Sequence, residues 1–127
     1  MNKIPDHWPT EFNFLDSDVV QNIEEQYPEM MKEYRRIMWY QYEVFCKKQS
    51  NYGPGNISLG TDLTKDEDVK MSLIGLWFRM NDKIQRLKNL VVLGKSDTVG
   101  ESETDTFQDL SVYGIIAQLV SNKKWAK

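Results

Sequence analysis

Histidine and cysteine are almost missing from this 127-residue chain, which has one of each, His7 and Cys46. A single cysteine cannot close an internal disulfide, which points to a reducing compartment. Cys46 falls inside a helical pattern and reads as a small semi-buried hydrophobe. A lone histidine without Cys or His partners makes a poor metal site, so His7 reads as a surface or packing residue. No apolar run reaches about 18 residues, so no membrane span is expected. The first residues, with Pro5 and Asp6, carry no signal-peptide pattern, and a cytoplasmic location is expected. A large excess of one charge is missing too. The formal charge of −3 argues against DNA or RNA binding by bulk charge, while leaving room for a local basic pocket. Alternating strand patterns, internal repeats and low-complexity tracts are absent.

What is present is helical. A hydrophobic content of 40% and a charged content of 28% fit one soluble globular domain with a modest core. The pattern predicts an all-α fold: a bundle of three long helices with a short N-terminal helix and an extended N-terminal arm. Residues 1–15, with two prolines and several large apolar side chains, read as the arm, 16–122 as the bundle and 123–127 as a tail. Asp16 or Ser17 can cap the short helix, which runs to Gln26. Pro28 suits the first turn of a long helix to about Ser50. Its stripe of Met30, Met31, Tyr34, Ile37, Met38, Tyr42 and Phe45 reads as core, with Gln41 inside it. Trp39 and Tyr40 lie off that stripe and suggest a second covered face, in a bundle or in a homo-oligomer.

The stretch from Asn51 to Gly60 ends that helix. Gly53 and Gly55 there would let backbone N–H groups approach a ligand, but the stretch has neither a Walker pattern nor a dinucleotide fingerprint. Thr64 and Glu67 form a capping-box pattern for a helix to about Leu93, with a stripe of Val69, Leu73, Leu76, Met80, Leu87 and Leu90. Lys83 falls at the centre of this stripe, and Arg79 and Arg86 on its margin. A short polar loop, Gly94 to Gly100, makes the next helix an antiparallel neighbour.

That last helix, to about Asn122, carries the most informative stretch. At about 100° per residue, Glu101, Asp105 and Asp109 share one face. The same face continues as Val112, Ile116, Leu119 and Val120. Acids avoid such a line unless paired or bound to metal. A helix cap from Ser102 accounts for Asp105 but not for Asp109, two turns in. The simplest arrangement sets Lys83 and an arginine against these acids across the helix pair.

Three uses of such charges compete. They can pair only with one another, fixing register. The acids can hold Mg²⁺ while the cations hold phosphate, with water activated for hydrolysis. Or Arg79, Lys83 and Arg86 can bind a phosphorylated ligand without chemistry, with Tyr52 or Trp77 stacking on a base. A complete two-metal site would need acids from the first long helix. That helix does not supply them: Glu43 faces away, and Glu24, Glu25 and Glu29 straddle Pro28.

Three blocks in order carry a resemblance. They are Lys48-x-x-Asn51-Tyr52-Gly53, then Gly75-Leu-x-x-Arg79-x-x-Asp82-Lys83-x-x-Arg86-Leu-x-Asn89-Leu, then Glu101-Ser-x-x-Asp105-Thr-x-x-Asp109-Leu-x-x-Tyr113. Over about residues 45–120 they resemble the nucleotide modification associated domain 1 family, small all-helical phage proteins that look related to the MazG and dimeric dUTPase kind of pyrophosphatase. The resemblance implies nucleotide handling, in the host cytoplasm if the chain is phage-encoded. It implies Asp105 and Asp109 as metal-binding or catalytic acids, joined by Glu101 at the Mg²⁺, and Lys83 and Arg86 as phosphate contacts. Lys48, Asn51, Tyr52, Gly53, Asn56, Arg79, Asn89 and Tyr113 complete the expected ligand site. The chain departs from the pattern in two places. It lacks the pyrophosphatases' Glu-Glu-x-x-Glu motif, and Asn51 stands where the family usually has Asp. Both departures favour binding over catalysis. The expected function is therefore binding of a phosphorylated nucleotide. The alternatives are a Mg²⁺-dependent nucleotide pyrophosphatase and a phage anti-defence protein that sequesters a signalling nucleotide.

Overall fold

The computed structural model describes residues 17–127, with side chains from Asp18 onward. The expected arm, His7 and the Asp16 cap lie outside the described residues. The chain divides into two compact units, Met1–Lys47 and Lys48–Lys127. Among the described residues every regular element is helical: α1 (Ser17–Gln26), α2 (Pro28–Tyr52), α3 (Gly55–Ser58), α4 (Asp66–Leu87), a π-helical turn (Lys88–Val92) and α5 (Glu103–Ser121). The all-α class is as expected, and no helix among these residues is long and apolar enough to cross a membrane.

In the first unit, Tyr27 separates two helices without breaking their hydrogen bonding. Its N–H donates to the Ile23 carbonyl at 2.9 Å, and its own carbonyl accepts from Met31 N–H at 3.1 Å. Pro28 can start α2 because the first helical N–H has no intrahelical partner to lose. Arg35 of α2 pairs with Glu24 of α1. The expected core stripe of α2 is not core: the helix has no buried residue, and Met30, Tyr34 and Tyr42 are each more than half exposed. Periodicity says which side chains share a face; it does not supply the surface that covers them.

The second unit begins within the last turns of α2, at Lys48. Gly53 takes a left-handed backbone (φ 69°), and its N–H donates to Gln49 O at 2.8 Å, closing the helix. The chain then folds tightly through α3. Leu63 is 1% exposed although its φ is 56°, a conformation that costs a β-carbon-bearing residue about 1–2 kcal/mol. Burying a leucine contributes about 1.5–3 kcal/mol, which offsets that strain. Thr61 holds the turn: its hydroxyl donates to Ser58 O at 2.9 Å and accepts from Leu63 N–H at 3.2 Å.

The capping box expected from Thr64 and Glu67 does not form. Thr64 instead donates both its N–H and its hydroxyl to Asp62 Oδ1, at 3.2 and 2.7 Å. Lys65 is the N-cap of α4 and makes no side-chain cap bond. An aspartate two residues upstream offers an Asx turn, which competes for the threonine. The Ser102 box does form: Ser102 Oγ accepts from Asp105 N–H at 3.1 Å, and Asp105 Oδ2 accepts from Ser102 N–H at 3.2 Å.

Helices α4 and α5 pack antiparallel, since Lys83 meets Asp109 while Arg86, further along α4, meets Thr106, earlier on α5. The core contains Ile57, Leu63, Leu76, Leu90, Ile116, Val120 and Trp125. Trp125, in the 123–127 segment after α5, is part of the core. It is 4% exposed, and its indole N–H donates to Pro54 O at 3.2 Å. Around it, Lys123 pairs with Asp66 at 2.8 Å and Lys127 Nζ donates to Asp62 O at 2.9 Å. The end of the chain thus closes the core between α3 and the start of α4.

Candidate functional site

Lys83 of α4 meets Asp109 of α5 and Glu101 just before it. Lys83 sits two turns beyond Leu76 on the inner face of α4, and its ammonium lies between two carboxylates: Glu101 Oε1 at 2.8 Å and Asp109 Oδ2 at 2.9 Å. Its side chain is only 21% exposed. The Glu101 hydrogen bond, followed by the Asp109 contacts, raises the Lys83 pKa above its ordinary 10.5 against the opposing effect of burial. Lys83 is therefore cationic throughout the neutral range. Asp109 also has Lys48 Nζ 3.7 Å away, so the last turns of α2 contribute a cation to the cluster.

Arg86 forms a second node. It donates to Thr106 Oγ1 at 3.2 Å, to Asp97 Oδ1 at 3.0 Å and to the Glu101 carbonyl, with Glu101 Oε2 at 3.7 Å. The Asp97 carboxyl is held below its ordinary 3.8, first by Val99 N–H and then by Arg86. Arg86 thus braces the loop between the π turn and α5. Arg79 points elsewhere and donates to the Asn56 carbonyl at 2.8 Å. These two residues border a shallow depression of about 200 Å³, open mouth included, lined also by Ile57, Leu59, Ser72, Gly75 and Leu76. Ser72 Oγ is tied to Ile57 O at 2.8 Å.

The other expected residues are more scattered. Asn51 and Tyr52 are exposed at the end of α2, and Gly53 N–H is occupied by its helix cap. Asn89 is exposed in the π turn, with its carbonyl accepting from Lys95 N–H at 2.9 Å. Tyr113 is half-buried on α5. Trp77 lies about 120° around α4 from Lys83, so it cannot stack on a base held there.

The three acids are not brought together. Glu101 precedes the helix and turns to Lys83, Asp109 faces Lys83 from inside the helix, and Asp105 is turned back onto Ser102. Among the described residues no three His, Cys, Asp or Glu side chains are grouped to hold a metal ion. The residues present do not fit a Mg²⁺ centre: one carboxylate is engaged in a helix cap, and the other two already face an ammonium.

Thr106 was not singled out by the sequence reading, yet it is fully buried. Its hydroxyl donates to Ser102 O at 3.1 Å while accepting from Arg86. The signal was its place two heptads before Val120, on the buried stripe. No family model matches the chain, and no curated protein or solved structure is significantly similar to it.

Proposed function

We propose that the chain binds a phosphorylated nucleotide on the second unit, at the Lys48, Lys83 and Arg86 cluster, with Arg79 holding the neighbouring Asn56 loop. The observation that carries this reading is the half-buried Lys83 ammonium, positioned by Glu101 and Asp109 and kept charged by them. The two carboxylates outweigh the single ammonium charge, so a phosphate reaches Lys83 only by displacing Glu101 or Asp109 from it. The depression beside Asn56 and Arg79 encloses only about 30 Å³, far less than a whole-ligand site of about 300–1,000 Å³. It admits no more than a small polar group of the ligand, with the rest lying along the surface. The resemblance to the nucleotide modification associated domain 1 family supports the same ligand class.

A second reading has its own observation. Lys83, Arg86 and Lys48 each already face a carboxylate. On that reading the network only fixes the register of α4 on α5, and the protein is an interaction module.

One experiment separates these readings: titration with nucleoside triphosphates, with and without Mg²⁺, followed by recovery of the nucleotide after denaturation. Micromolar binding lost in Lys83→Met and weakened in Arg79→Ala, with the nucleotide recovered intact, supports binding or sequestration. Release of pyrophosphate, abolished in Asp109→Asn, supports the hydrolytic alternative. No binding of any nucleotide leaves the register lock.

A further inference from the structure

Helix α4 is apolar on two opposite faces. One faces α5, with Leu76 buried and Lys83 half-buried. The other carries Met71, Ile74, Trp77, Phe78 and Ile84, all between 41% and 59% exposed. At about 100° per residue these five fall within an arc of about 140°, on the far side from Lys83. Lys70, Asn81 and Gln85 also fall on this arc, so it is an apolar patch interrupted by three polar side chains. Taking side chains of about 150–250 Å² each, the open part of this arc is on the order of 500 Å², the upper range for an apolar patch on a monomer.

The charges flanking the arc identify what fits it. Glu67 lies on the arc near the start of α4, and Lys88 lies on it just past the end. Both are exposed. A second α4 laid antiparallel, with a two-fold axis between positions 77 and 78, brings each acid to the opposite base. In that register Trp77 meets the partner subunit's Phe78, Met71 meets the partner subunit's Ile84 and Ile74 meets the partner subunit's Asn81. Glu67 meets the partner subunit's Lys88, once at each end. The aromatic pair, already edge to face at 5.3 Å within one chain, occupies the centre, where interface energy concentrates. The apolar patch together with its charged flanks approaches the roughly 800 Å² per partner of a stable interface. An isologous contact of this kind is closed and self-complementary.

We propose that the outer face of α4 is a two-fold interface with a second copy of this chain, the two helices antiparallel and crossing at Trp77 and Phe78. The contact does not depend on nucleotide binding.

The test is sedimentation velocity on the full chain across a concentration series. The parent is expected to be a dimer at micromolar concentration. Trp77→Glu, at an exposed position, is expected to be monomeric with an unchanged helical circular dichroism spectrum. Glu67→Lys and Lys88→Glu, each alone, set like charges against each other at both ends and should weaken the dimer about tenfold. The double variant Glu67→Lys with Lys88→Glu should regain parental affinity, which only an antiparallel pairing of these two positions allows. A parent that is monomeric at all concentrations, a dimer untouched by Trp77→Glu, or a double variant no tighter than the singles would overturn the proposal.

Discussion

Lys83 Nζ lies 2.9 Å from Asp109 Oδ2, the two side chains only 21% and 22% exposed. This contact joins the inner face of α4 to the inner face of α5, and Glu101 completes it from the segment before α5. An ion pair at this depth is screened less than a surface pair, and either partner left alone would be poorly solvated. Lys83→Met removes the cation and leaves two carboxylates facing each other. We expect a loss of about 1–3 kcal/mol, between the values for surface and buried pairs. Urea unfolding of parent and variant measures it, and a variant as stable as the parent would remove the pair from the account.

Thr106 joins Arg86 to the start of α5 while fully buried. Thr106→Val keeps the shape and removes the hydroxyl, so the Arg86 Nε–H loses a partner. The expected cost is about 1–3 kcal/mol. Thr106→Ser should recover most of it, because the hydroxyl returns. Thermal unfolding of the two variants side by side reads the difference.

Asp105 serves the helix rather than a metal. Ser102→Ala and Asp105→Ala should each lower stability by about 0.5–2 kcal/mol. The double variant should lose less than the two losses added together, because the bonds belong to one reciprocal box. Strictly additive losses would mean the two residues act apart.

Trp125 closes the core from the end of the chain. Trp125→Ala should cost about 3–5 kcal/mol, enough to leave the second unit largely unfolded at 37 °C. Trp125→Phe retains most of the packing and gives up the bond to Pro54 O, with an expected cost nearer 1 kcal/mol. Tertiary amide signals in a two-dimensional NMR spectrum distinguish the two outcomes.

Four groups shape the pH dependence of stability: Lys83, and the carboxyls of Asp62, Asp66 and Asp97, each held below its ordinary 3.8. Lys83 has a folded pKa above its ordinary 10.5, so its contribution is complete below 10.5 and is lost as pH rises through the folded value. Asp97 has a folded pKa below its ordinary 3.8, so its contribution is complete above 3.8 and is lost as pH falls through the folded value. Stability from these groups should be flat between about pH 5 and pH 9. Lys83→Met should remove the alkaline limb that Lys83 contributes, and Asp97→Asn should weaken the acid limb, as read from melting temperature against pH.

The sequence alone determined the helices and the signs of the charges on their faces. Pro28, Gly53 and the Ser102–Asp105 pair set helix ends through local backbone chemistry that involves no distant residue. The 3.6-residue period put Lys83 and Asp109 on inward lines, and they do meet. Tertiary structure decided the rest. Thr64 could bond to Asp62 or cap α4, and the loop around buried Leu63 took the first. Asp105 and Asp109 lie on neighbouring turns, but only the position of Lys83 across the helix pair gave them different partners. Trp125 carries no periodic signal, because a single side chain after a helix has no pattern to belong to, and only the folded chain brings it to Pro54. The stripe on α2 shows the same division from the other side: a sequence can mark a face as apolar, but a second surface has to be present before that face is buried.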